Sequence, residues 1–178
     1  VEVSSYQMER PGGFAPKVGA LLNLTPDHLK RHGSIENYGR CKFQLFANMP
    51  VGSVGLLPDH EPLIDRLAEA SPHVKWARAS QDYAVVDDRL EVAIDAMNAQ
   101  VSLQSLGVMG AHNQDNAAVA ATLALLVGVE AEKVEKAILS LRALAHRLES
   151  VGEVNGVLFI NDSKATNIEA AIVGINAV

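Results

Sequence analysis

Val18-Gly19-Ala20-Leu21-Leu22-Asn23-Leu24 is an almost unbroken apolar run that stops at the polar turn Thr25-Pro26-Asp27-His28. A strand that is apolar on both sides must be covered on both sides, the pattern of a parallel sheet in an α/β protein. In such folds ligands gather beyond the carboxyl ends of the strands, which is where this turn sits. A helix follows. Ser34 is suited to cap it, and Ile35, Tyr38, Leu45, Phe46 and Met49 then share one stripe at about 100° per residue. Lys42 falls in the middle of that stripe. Burying an unpaired ammonium costs several kcal/mol, so Lys42 must be neutralised, paired or put to use.

The same reading along the chain predicts strands over 1–3, 18–24, 52–57, 74–77 and 157–160, and helices over 63–70, 117–127, 131–141 and 168–178. Residues 83–86 and 90–94 flank Asp87-Asp88 as a hairpin, which departs from strict βα alternation and is expected as an antiparallel addition to the sheet. Val134, Ala137, Ile138 and Leu141 are the expected apolar stripe of the helix over 131–141. The strand over 157–160 is expected to be buried. His60, His73 and Trp76 receive no functional role.

Five polar constellations sit at the ends of these elements. Glu2 is either a carboxylate facing water on an edge strand or a ligand at the rim of a sheet. Asp27-His28 reads as a surface hydrogen-bonding pair or as a ligand pair beside Lys42. Gly107-Val108-Met109-Gly110-Ala111-His112-Asn113-Gln114-Asp115-Asn116 is a glycine-rich approach to a helix N-terminus, with His112 and Asn116 spaced i,i+4. Helix capping and nucleotide contact both account for it. His146-Arg147 precedes a strand start at Glu149-Ser150-Val151; the guanidinium suits a phosphate clamp, a surface position or an interdomain salt bridge. Finally, Asn161-Asp162-Ser163-Lys164-Ala165-Thr166-Asn167 follows an apolar strand directly. Asp162 can accept from ribose hydroxyls, Lys164 can offset phosphate charge, and Thr166 and Asn167 can cap the next helix.

With 178 residues, 48% of them apolar, the chain can bury one substantial core or one domain plus part of another. The net charge of -6, without a basic run, argues against a nucleic-acid surface. No run reaches the roughly 18 apolar residues of a membrane span. A lone Cys41 requires no oxidising compartment, so a cytoplasmic setting is expected. Val1-Glu2-Val3 alternates from the first residue without an initiator Met, and the last helix lacks a stop signal, so the chain is expected to be cut from a longer protein at both ends.

In this order the segments resemble the Mur ligases of peptidoglycan synthesis, most closely the members that add D-glutamate. The matching pieces are Glu2-Val3-Ser4-Ser5-Tyr6-Gln7-Met8-Glu9, then Leu22-Asn23-Leu24-Thr25-Pro26-Asp27-His28 with Arg31-His32, Tyr38 and Lys42. Gly110-Ala111-His112-Asn113 with Asn116, His146-Arg147-Leu148-Glu149 and the loop Asn161 to Asn167 complete the set. The Asp-His turn with its later lysine is similar to the whole superfamily, folylpolyglutamate synthases included; the loop after Ile160 is similar to the D-glutamate branch.

The resemblance implies an α/β fold with a mostly parallel sheet flanked by helices. It implies a central ATP-binding domain over 1–148 and the start of a Rossmann-like substrate domain over 149–178. Its implied reaction is ATP-dependent: the γ-phosphate passes to the carboxylate of UDP-N-acetylmuramoyl-L-alanine, and D-glutamate attacks the acyl phosphate. It implies carbamylation of Lys42 to N6-carboxylysine, which with Glu2 and His28 holds magnesium as a pair of ions. Hard oxygen ligands suit that cation. Asn116, Arg147, Asp162 and His112 are implied at ATP; Lys164, Thr166, Ser163 and His28 lie toward the acyl phosphate and substrates, with Lys164 joining Lys42, His28 and Glu2 in catalysis. A monomer is implied. The family's phosphate loop, its uridine-binding domain and most of its D-glutamate-binding domain have no match, so the parent protein rather than this stretch is expected to turn over. Arg142-Ala143-Leu144 stands where the family often has glycine, implying a stiffer hinge. The alternatives are another Mur ligase, a folate-polyglutamylating relative, or a non-catalytic nucleotide-binding module.

Overall fold

The computed structural model describes residues 1–104, 106–108 and 110–178. At its centre three parallel strands, β1 (Val18–Ala20), β2 (Val54–Leu57) and β3 (Lys75–Arg78), lie in the order β1-β2-β3. α1 (Ser5–Met8) precedes β1; α2 (Leu29–His32) and α3 (Ile35–Ala47) connect β1 to β2, and α4 (Pro62–Ala68) connects β2 to β3. Every residue of β2 is buried, as expected for a strand covered on both faces. Successive side chains of β2 point to opposite faces, so Leu56 and Leu57 enter two different cores.

The Leu57 side packs against α3 and α4 through Phe43, Phe46, Met49, Ile64 and Leu67. Gly55 lies under the Trp76 ring, where a Cβ would collide with it. The Leu56 side meets a second, antiparallel sheet made of β4 (Tyr83–Val86), β5 (Arg89–Ile94) and β6 (Met97–Ser102). α5 (Ala111–Leu126) and α6 (Ala131–Leu139) close that core through Ala118, Ala121, Leu125, Val134 and Ile138. Asp87 and Asp88 both adopt positive φ, 49° and 55°, the backbone of a tight two-residue hairpin turn.

Several expectations are corrected. Residues 1–3 form no strand: Ser4 caps α1 and Gln7 reaches back to it, and this reciprocal capping box outweighs a three-residue alternation. The strand expected over 18–24 pairs only at Val18–Ala20, with Leu21 adding one bond to Leu56. The hairpin forms its own sheet with β6 instead of extending the parallel one; an isolated bridge from Ala79 to Tyr83 joins the two. α5 begins at Ala111, six residues before its expected start, so His112 and Asn116 lie within its first turns. α6 ends at Leu139, two residues before Leu141, which is exposed; of the expected stripe Val134 and Ile138 are buried, and Ala137 is exposed within the helix.

The last elements are a hairpin, β7 (Glu149–Val154) with β8 (Val157–Asn161), and α7 (Ile168–Ile175). β8 is not buried: Val157, Leu158 and Phe159 are all exposed. A two-stranded ribbon has no second layer of its own to cover its apolar side.

Candidate functional site

α3 starts where its sequence says it should, with the Ser34 hydroxyl accepting from the Asn37 amide at 3.2 Å. Tyr38, Phe46 and Met49 of the expected stripe are buried, and Phe43 and Gly39 join them. Lys42 is half-buried on that face. Its ammonium donates to the Asn23 carbonyl at 3.1 Å and lies over the Tyr38 ring, 4.9 Å from its centroid. Burial holds the Lys42 ammonium below the ordinary lysine range, and Asp27 pulls weakly the other way. Burial also pushes the Tyr38 phenol up, with Asp27 and Tyr6 adding to it.

The Asp27-His28 turn shares this corner. His28 caps α2 in the left-handed region at φ 53°, and its amide donates to Asp27 Oδ1 at 2.7 Å. That carboxylate is also 3.5 Å from His28 Nδ1. Nε2 is the ring nitrogen left for a cation, an arrangement common where a carboxylate orients a liganding histidine. The His28 ring meets Tyr38 edge-on at 6.2 Å, so the Tyr38 ring is a neighbour of both His28 and Lys42. The sequence placed Tyr38 on the apolar stripe and in the family motif, without a role. Its spacing of four from Lys42 is the signal that could have shown the pairing.

Glu2 is exposed, and among the described residues its side chain has no hydrogen bond or ion pair. No three His, Cys, Asp or Glu side chains gather to hold a cation among the described residues. Lys42 converted to a carbamate would add oxygen donors, the kind that suit magnesium, to the Glu2 carboxylate and the Nε2 of His28.

The other expected residues group at the junction before the last hairpin. His146 and Leu148 both adopt positive φ, 66° and 45°, costly for side chains with a Cβ. Neighbouring groups hold them there: Glu149 Oε2 accepts from the His146 amide at 2.7 Å, and Asp162 Oδ1 accepts from the Leu148 amide at 3.1 Å. Asn161 donates to His146 Nδ1 at 2.8 Å, and the Lys164 amide donates to the His146 carbonyl at 3.0 Å. Asp162 Oδ2 lies against Gly174 of α7, where a Cβ would collide with it. The loop expected to meet a nucleotide is thus also the brace of the junction, a role for Asp162 that the sequence did not show.

Arg147, Ser163, Lys164 and Thr166 are exposed, and among the described residues their side chains make no hydrogen bond or ion pair. Asn167 caps α7 by accepting from the Ala170 amide at 2.8 Å, as its sequence position predicts. It also donates to Asp27 Oδ2 at 3.4 Å, which brings the last loop beside the Asp27-His28 turn. His112 and Asn116 occupy the first turns of α5. Gly110, at φ 91°, leads into that helix, and a Cβ there would meet both the His112 ring and Ala177. Met109 of the glycine-rich approach lies outside the described residues.

The Mur ligase middle domain model matches residues 1–124. UDP-N-acetylmuramoylalanine--D-glutamate ligase of Alkaliphilus metalliredigens is 38% identical over 99% of this chain and 40% of its own length. The protein of the same name from Pelotomaculum thermopropionicum is 40% identical over 96% of the chain and 39% of its own length. The chain therefore spans about 40% of these relatives. Among solved structures, MurF from Acinetobacter baumannii superposes with a TM-score of 0.74 at 20% identity, over 95% of this chain and 38% of that one. The apo form of L. casei FPGS gives 0.66 at 17% identity, over 92% and 42%. These likenesses establish the fold: α/β, with a parallel sheet and flanking helices.

Proposed function

The chain belongs to the Mur ligase family, and on that premise we propose that the protein containing it is an ATP-dependent ligase of peptidoglycan synthesis, joining D-glutamate to UDP-N-acetylmuramoyl-L-alanine. The observation that carries this reading is the similarity to ligases of that name across essentially the whole chain. The 1–148 stretch is read as the ATP-binding domain and 149–178 as the start of the substrate domain. The protein is read as a cytoplasmic monomer; no helix among the described residues is long and apolar enough to cross a membrane.

In this reading Glu2, His28 and carbamylated Lys42 hold magnesium, as two ions. The cation supplies charge stabilisation for the phosphoryl group in transfer. The depressed basicity of Lys42 supports the assignment, because the neutral amine is the form that adds to CO2, and burial favours it. Asn116, His112, Arg147 and Asp162 face ATP. Lys164, Ser163 and Thr166 face the acyl phosphate and D-glutamate, where the Lys164 ammonium offsets developing negative charge.

The test is phosphate release by the full-length protein with ATP, UDP-N-acetylmuramoyl-L-alanine and D-glutamate. Lys42→Ala is expected to lower turnover at least ~100-fold, the upper range for losing support of a metal ligand. Added short-chain carboxylates should recover part of it. Unchanged turnover in that variant would remove Lys42 from the site. Turnover with L-lysine but not D-glutamate would move the protein to another branch of the family.

A further inference from the structure

The residues proposed to hold the cation belong to three separate segments: Glu2 precedes α1, His28 caps α2 and Lys42 lies in α3. α1 and α2 have only four residues each, too short to be stable alone. What joins all three is His32, whose side chain is only 3% exposed. Its Nε2 lies 3.1 Å from the Ser5 hydroxyl in α1. Its Nδ1 is 3.9 Å from Glu9 Oε1, just beyond α1. With the proton on Nδ1, toward that carboxylate, Nε2 accepts from the Ser5 hydroxyl; with the other tautomer it donates to it. The His32 ring also meets Tyr6 at 5.8 Å and Tyr38 at 5.2 Å.

Arg31 completes the joint. Its Nε and Nη2 donate to the two oxygens of Glu9 at 2.9 and 2.7 Å, a forked pair that fixes α1 relative to α2. The fork also holds the Glu9 carboxyl below the usual range. Two contacts of this joint lie about one helical turn from a proposed ligand, and a third, Ser5, is joined to Glu2 through the extended Ser4. Ser5 follows Glu2 by three residues, His32 follows His28 by four, and Tyr38 precedes Lys42 by four.

We propose that His32 is a positioning residue that sets the spacing of Glu2, His28 and Lys42 by binding the Ser5 hydroxyl and packing against Tyr6 and Tyr38. The proposal rests on the metal-site reading above. His32 itself touches neither metal nor substrate. Sequence alone presented it as one histidine of six, in a motif shared with the family and without a role.

The experiment measures Mn2+ binding to the full-length protein by the loss of the free-ion electron paramagnetic resonance signal, with Mg2+ as competitor. His32→Leu should bind Mn2+ at least ~10-fold more weakly, the range for removing an outer-shell support. His32→Gln, whose amide oxygen can accept from Ser5, should regain most of the affinity. Ser5→Ala should lose affinity in the same direction and decides the matter if His32→Leu does not fold. Wild-type affinity in His32→Leu or in Ser5→Ala overturns the proposal. Equal weakening in the Gln and Leu variants overturns it too, because it reduces His32 to a space-filler. Glu2→Gln separates the two levels: if the wild type binds no Mn2+, or Glu2→Gln binds it unchanged, the metal-site reading itself falls.

Discussion

β2 and β8 look alike in sequence, each a short apolar strand followed by a polar loop, and the molecule treats them oppositely. All of Val54–Leu57 is buried between two cores, whereas Val157, Leu158 and Phe159 of β8 face outward. The difference lies in what covers them. β2 has helices on one side and a second sheet on the other, while β8 belongs to a two-stranded ribbon with α7 after it. Hydrophobicity records that a strand needs covering, and only the arrangement of the other elements says whether it is covered. The stability of this chain should accordingly reside in residues before the junction at His146.

The sharpest way to break that contrast is a pair of phenylalanine truncations read by urea denaturation. Phe46→Ala removes a ring with no exposure and should cost about 3–5 kcal/mol. Phe159→Ala removes a ring that is 51% exposed and should cost less than about 1 kcal/mol. Comparable losses would mean that β8 is buried in solution.

Two helix caps provide a finer comparison. Ser34→Ala and Asn167→Ala each delete a side-chain acceptor at a helix start and should each weaken their helix by about 1 kcal/mol. The first loss should appear in global unfolding, because α3 carries Phe43 and Phe46. The second should appear only as faster amide exchange within α7. Global destabilisation by Asn167→Ala would show the two regions to unfold as one.

The smallest effect concerns pH. Lys42 is held below its ordinary basicity when folded, so between that depressed value and the usual lysine pKa near 10.4 the folded state binds fewer protons than the unfolded. Stability should therefore rise as pH climbs through that window. Lys42→Met should flatten the rise, measured as the alkaline dependence of the urea midpoint. A rise that persists in Lys42→Met would assign it to another group.

What could be read from the sequence follows the same division between local and global information. Ser34 and Asn167 as caps, the Asp87-Asp88 hairpin and the misplaced Lys42 were legible, because each depends on near neighbours. β6 was not. Its inward residues are Met97, Ala99 and Val101, and with Asn98 and Gln100 between them the alternation carries little hydrophobic contrast. The Val1-Glu2-Val3 alternation misled because the Ser4 to Gln7 capping box decides that segment. At the candidate site, residue types singled out His28, Lys42 and Asp162. The contact of the Tyr38 ring with His28, the brace at Asp162 and the joint at His32 all depend on contacts between separate segments, which periodicity does not encode.

The hydrogen bond from Asn167 to Asp27 joins residues 140 apart in sequence. Closing a flexible loop of that length costs on the order of 4 kcal/mol in chain entropy, whereas one exposed neutral-to-carboxylate bond returns no more than about 1–3 kcal/mol. The bond cannot draw the two loops together by itself. It forms only after the strands and helices between them have already shortened the path, so it is among the last contacts made in folding and among the first given up. Its presence or absence in solution is therefore a gauge of whether the last hairpin and helix are docked, readable without perturbing either.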